Sequence, residues 1–142
     1  MKKKFIAIFN LIFFVISLLM LSCCSPSNNV KASIIQQSAT QIVIKIDQAE
    51  ENVTLLKGME YLKQQGLLSY TLDGTMVKSI NGKTASDRDR TFWALYTSAS
   101  EMSNTAWGSI EVDGQTCGSA ILGADSLMVK AGELYIWKWS SY

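Results

Sequence analysis

The chain has 142 residues, 48% of them apolar and 18% charged, which suits one globular domain and excludes a disordered chain. It contains no histidine, which removes serine or cysteine nucleophiles with a histidine base, two-histidine zinc sites and haem-histidine ligation. The formal charge is +1; with Lys2, Lys3 and Lys4 set aside, the 13 basic residues fall to 10 against 12 acidic ones, a net −2 that makes a poor nucleic-acid surface.

Lys2, Lys3 and Lys4 form a positive n-region, and Phe5 to Leu21 is an apolar run broken only by Asn10 and Ser17. The pattern is that of a secretory signal. The run ends in Leu21-Ser22-Cys23-Cys24, which resembles the lipobox of bacterial lipoproteins, where the cysteine is acylated and becomes the new N-terminus. Cys23, preceded by the small Ser22, is the expected lipidation site, with Cys24 as the alternative. An uncleaved spanning helix needs about 20 apolar residues. The run is marginal for that, and the cysteine at its end favours the lipoprotein. Each buried CH₂ adds about 0.8 kcal/mol, so two acyl chains hold a protein firmly on a bilayer. The expected organisation is a lipoprotein signal over 1–22, a tether over 23–40 and one domain over 41–142. The domain would be lipid-anchored at the cell membrane and face outside the cytoplasm.

Within the tether, Ser25-Pro26-Ser27-Asn28-Asn29 is a spacer with no apolar side chain, read as running on to Thr40. Gln41 to Asp47 is β-branched and strand-like, with Ile42, Ile44 and Ile46 on one face. A helix over 55–65 follows, with Thr54 as its cap, Leu55, Leu56, Met59 and Leu62 on one face and Gly66 as its stop. Strands are predicted over 67–72 and 75–80, joined by Asp73-Gly74 and followed by Asn81-Gly82; both dipeptides suit turns with positive φ. Residues 83–90 read as a polar loop, 91–99 as a strand, 101–108 as a loop, and 109–112 as a strand entering the turn Asp113-Gly114. Residues 118–132 read as mostly loop, and 133–139 as a last strand with Tyr135, Trp137 and Trp139 on one face. A strand, a helix and then several strands make an α+β pattern with an antiparallel or mixed sheet.

Four segments in order resemble the transcobalamin C-terminal-like domain family: Val53-Thr54-Leu55-Leu56-Lys57-Gly58-Met59, the stretch Gly74 to Gly82 with its Ser79-Ile80-Asn81-Gly82, Phe92-Trp93-Ala94-Leu95-Tyr96, and Val129 to Glu133 followed by Trp137-Lys138-Trp139. Glu133 stands where the family usually has aspartate, and Thr97-Ser98-Ala99 with the 101–108 insertion replaces its Val-Asn-Gly. The resemblance implies a β-grasp-like sheet wrapped on one helix. In transcobalamin-type carriers such a domain is the smaller half of a clamp on a corrinoid, and bacterial relatives occur as lone lipoproteins.

All four tryptophans fall after residue 90, and a flat macrocycle binds well against exposed rings with a few amide groups. Trp107, in a polar loop, is the leading candidate contact, with Asn104 beside it as an amide donor or a turn former. Trp93 and Tyr96 lie on opposite faces of their strand; Trp93, like Trp137 and Trp139, has the alternative of filling the core against Leu55, Met59 and Leu62. Ser119, next to Gly118 and Cys117, is placed on the rim. Cys117 reads as a small buried or half-buried thiol, since the other two of the three cysteines lie in the anchor and its tether. No cofactor, no metal and no enzymatic activity is expected: Asp87, Asp89 and Asp125, the carboxylates that would have to serve as acid and base, sit in polar turns. The leading reading is an extracytoplasmic lipoprotein that binds a small ligand, with cobalamin or a related corrinoid as candidate, and passes it to a membrane transporter in uptake. The alternative is a surface module that docks a protein or the cell wall without a small ligand.

Overall fold

The computed structural model describes residues 30–142. The expected signal segment, the two candidate lipidation cysteines Cys23 and Cys24 and the first spacer residues lie outside the described residues. Among those described, no helix is long and apolar enough to cross a membrane.

Ten elements follow in chain order: β1 (Val30–Gln37), β2 (Gln41–Ala49), α1 (Leu55–Gln64), β3 (Tyr70–Asp73), β4 (Met76–Ile80), β5 (Lys83–Thr84), β6 (Thr91–Thr97), β7 (Ser103–Val112), β8 (Gln115–Ala120) and β9 (Leu134–Ser141). Six strands form one sheet in the order β1-β2-β9-β6-β8-β7, and β3-β4-β5 form a second. Every neighbouring pair is antiparallel. The architecture is α+β, with a wholly antiparallel arrangement around one helix.

The helix forms for the reasons its sequence gives. Leu55, Met59 and Leu62 recur at helical spacing and are fully buried against the sheet. Gly66, at φ +72°, ends it, with its N–H and that of Leu67 closing on the carbonyls of Lys63 and Leu62. The start departs from expectation. Thr54 has extended cap geometry but makes no side-chain cap hydrogen bond. The first free N–H groups instead reach a distant loop: Leu55 donates to Leu127 O and Leu56 to Ala124 O, both at 2.8 Å. The loop 123–128 is thereby fixed to the helix.

Residues 30–37, read as spacer, are strand β1. Their sequence mixes apolar and polar residues with no clean strand alternation, but Val30 and Ala32 are buried under α1. The helix comes close there because Gly58 has no side chain: a Cβ built on it would stand 3.2 Å from Ile46 Cδ1 and 3.8 Å from Val30 Cγ2. The 101–108 segment, expected as a loop, is a 3₁₀ turn (Ser100–Met102) and the first half of β7. The loop after Gly118 begins later than expected, because β8 continues to Ala120. Asn81-Gly82 and Asp113-Gly114 turn as their sequences predict, with positive φ at both positions.

Alternation along the central strands gives the large sheet two apolar faces. Ile42, Ile44, Ile46, Trp93, Tyr135 and Trp137 meet the helix, Ile80 and Leu127. Val43, Leu134 and Ile136 face the other way and are covered by Val112 and Cys117 of the β7–β8 hairpin, with Tyr96 and Ile110 at the margin.

Candidate functional site

On the helix side a cleft of about 560 Å³ opens between the two sheets. Its back is Trp93 and Leu95 of β6 with Trp137 of β9; Leu95 and Trp137 are register partners, so their side chains leave the same face. One wall is Met76, Val77 and Lys78 of β4, and the other is Gly123, Ala124, Asp125 and Ser126. Phe92, Asp87 and Tyr142 also line it.

The walls are held in place. The 123–126 wall is tied to α1 through the Leu56–Ala124 bond and to itself by Leu127 N–H donating to Gly123 O at 2.8 Å. Trp93 Nε1 donates to Lys83 O at 2.9 Å, and its ring meets Trp139 edge-on, with centroids 5.2 Å apart and planes at 71°. The Lys83 ammonium sits 4.5 Å over the Trp139 ring and donates to Ala39 O. Phe92 and Tyr142 pack at 5.6 Å as a tilted pair, and Tyr142 N–H donates to Arg90 O.

Two features give the cleft binding character. Met76 is 68% exposed and Tyr142 72%, so it opens through apolar groups that water does not satisfy. Asp87, Asp125 and Lys78 make no side-chain hydrogen bond or ion pair among the described residues, whose one ion pair is Lys130 with Glu101. That pair is exposed, and each partner holds the other charged: the carboxyl of Glu101 is lowered, first by the Lys130 hydrogen bond, and the Lys130 ammonium is raised by the same contact.

The sequence-predicted contact residues fall into two groups. Trp93 is buried and belongs to the cleft. Tyr96, Ser119 and Asn104 lie in one cross-strand row, since Tyr96 pairs with Ser119 and Ser119 with Asn104. That row is on the opposite face, so Trp93 is separated from the other three by the sheet. The β7–β8 register slips between Asn104 and Ser109, and residues 105–108 bulge out. Asn104 acts as a turn former there: its Oδ1 accepts from Ala106 N–H at 2.9 Å. Gly108, at φ +136°, lies over Tyr96, where a Cβ would stand 3.7 Å from the phenol oxygen. This braced bulge presents Trp107, 67% exposed. Cys117 is buried as expected, and burial, followed by Glu111 and Glu133, pushes its thiol up, away from thiolate chemistry.

Sequence reasoning missed most of the cleft. Its lining comes from residues 75–78, 85, 87, 91–93, 95, 123–126, 137 and 142, segments with no common motif. Two carboxylates, Asp87 and Asp125, line it, but among the described residues no group of three or more cysteines or carboxylates could hold a metal ion. Comparison with protein-family models, with curated proteins and with solved structures finds no match for this chain.

Proposed function

We propose that this chain is a lipid-anchored, extracytoplasmic binding protein whose domain takes a small, flat, largely apolar ligand in the cleft between its two sheets. The observation that carries the reading is the cleft itself: about 560 Å³, backed by Trp93 and Trp137, flanked by unpaired charged groups and open through exposed apolar side chains. Its volume is within the roughly 300–1,000 Å³ of ordinary small-molecule sites. The resemblance to transcobalamin C-terminal-like domains, and the β-grasp-like arrangement it implies, makes a corrinoid the first ligand to test, for delivery to a membrane transporter. A corrinoid is a flat macrocycle ringed by carboxamides. One edge of it would enter the cleft, with the rest lying on Phe92, Met76 and Tyr142. Nothing in this reading requires the protein to be an enzyme.

The test is calorimetric titration of the full chain in lipid nanodiscs with cobinamide and cobalamin, alongside Phe92→Ala and Trp107→Ala. Saturable heat that is weakened in Phe92→Ala and kept in Trp107→Ala is the expected result. Heat lost only in Trp107→Ala would move the ligand to the opposite face, and no heat would remove corrinoids as the ligand. A second reading, a protein- or wall-docking module, is favoured by one observation: Trp107 stands 67% exposed on a bulge braced by Asn104 and Tyr96, the form of an interface anchor.

A further inference from the structure

Three charged side chains line the cleft, and they do not cancel: Asp87 and Asp125 stand against Lys78. Among the described residues none of the three has a side-chain hydrogen bond or an ion pair. The two carboxylates sit on short stems and stay close to the backbone that carries them. Asp87 belongs to the turn that enters β6, where Arg90 N–H donates to Asp87 O at 3.3 Å and Arg90 O accepts from Tyr142 N–H at 3.1 Å. These bonds bring Asp87 to the corner that holds the Phe92–Tyr142 ring pair. Asp125 is half-buried on the 123–126 wall, and a Cβ added to Gly123, which also lines the cleft, would stand 3.0 Å from its Oδ1. Lys78 is different, because its long stem can pack on apolar surface while the ammonium swings into water. Arg88 and Arg90 neighbour Asp87 in sequence but do not line the cleft. The walls therefore present a negative field beside two exposed aromatic rings.

We infer that the cleft selects a cationic ligand, a flat organic cation whose charge is spread over its ring system. The inference rests on the cleft being the ligand site. The faces of Phe92 and Tyr142 attract a cation through the ring quadrupole, and the two wall carboxylates favour the same sign of charge. A delocalised cation is weakly hydrated and gives up little on entering apolar surroundings, whereas a compact ammonium is strongly hydrated and gives up more. An anion of the same shape meets two unpaired carboxylates, and like charges brought together in a site exclude the wrong partner. The apolar back of the cleft thus sets the shape of the ligand, and Asp87 and Asp125 set its charge.

The matched probes are 9-aminoacridine, acridine and acridine-9-carboxylate, one tricycle that is cationic, neutral and anionic at neutral pH. Equilibrium dialysis against the full chain in nanodiscs of zwitterionic lipid measures all three, with empty discs correcting for partition into lipid. The cation should bind about tenfold more tightly than the anion, the combined effect of exposed charge pairs and a cation–π contact, with acridine between them. Added salt should narrow the spread. When Asp87→Asn and Asp125→Asn are combined, the cation should lose most of its advantage while acridine binds as before, which tells a lost charge apart from a damaged cleft. Equal binding of cation and anion to the native chain, or an undiminished preference in the double variant, would overturn the inference while leaving the cleft as the site. Binding of none of the three would overturn the cleft reading and this inference with it.

Discussion

The contact between α1 and β2 at Gly58 sets two effects of similar size against each other. Replacing Gly58 by alanine in a helix interior gains about 0.8–1.0 kcal/mol of helix propensity. The added Cβ would stand 3.2 Å from Ile46 Cδ1, inside the 3.5–4.0 Å of ordinary carbon contacts. Ile46 is fully buried, so its side chain has little room to retreat, and overpacking of this kind costs about 1–3 kcal/mol. With a central cost of about 2 kcal/mol, Gly58→Ala should destabilise by about 1 kcal/mol net. Ile46→Val deletes the atom in question and alone should cost about 1 kcal/mol. In the double variant the clash is gone and the helix gain remains, so stability should return close to that of the native chain. Additive behaviour would instead give a loss of about 2 kcal/mol. Urea unfolding with unchanged m-values measures all four corners of the cycle. A Gly58→Ala variant more stable than the parent, or an additive double variant, would refute the claim that the helix rests on Ile46 through a contact only glycine permits.

Two further predictions concern titratable groups. The Tyr70 phenol donates to Glu60 Oε2 at 2.9 Å, and burial followed by that carboxylate raises its pKa well above the ordinary 10.0. A phenol with a raised folded-state pKa contributes stability that is complete below its unfolded value and is lost as pH rises past it. The loss of stability between pH 9 and pH 11, read by urea unfolding, should therefore be smaller in Tyr70→Phe than in the parent, and equal losses would contradict the assignment. The buried Cys117 thiol, raised by burial and by Glu111 and Glu133, should react with an aromatic disulfide reagent only after denaturation; prompt labelling of the Cys117 peptide in the native protein at neutral pH, read by mass spectrometry, would show that the β7–β8 hairpin does not close on the sheet.

Much of the fold was readable because it rests on short-range rules. The isoleucines of β2 at every second position, the leucines and methionine of α1 at helical spacing and two positive-φ dipeptides each specify local geometry that tertiary packing reinforces. Strand β1 was not readable, because its merit is non-local. Val30, Ala32 and Ile34 share one face of an octapeptide whose other positions are polar apart from the exposed Ile35, and that face matters because a glycine 28 residues after Val30 lets the helix approach. The cap failed for a similar reason. Thr54 has the right chemistry, but the carbonyls of Ala124 and Leu127 reached the helix N–H groups first.

The candidate site was less readable still, and β9 shows why. Tyr135, Trp137 and Trp139 alternate so that all three leave one face, and the sequence predicts that much. Their circumstances are different. The Tyr135 hydroxyl accepts from Lys130 N–H at 3.0 Å. Trp139 is partly exposed beneath the Lys83 ammonium and against Trp93. Trp137, between them, has a buried donor and no acceptor. Periodicity assigns a face; it does not assign a partner, because the partner depends on which distant segment covers each position. Residues 123–126, brought in by the helix N-terminus, and β4, brought in by the second sheet, form the walls of a cleft whose back includes Trp137, itself only 4% exposed. Trp107 stood out in the sequence as a tryptophan among polar residues. Trp137 resembled core, and at 4% exposure it is core that also backs the cleft, a second role that only the packing of distant segments reveals.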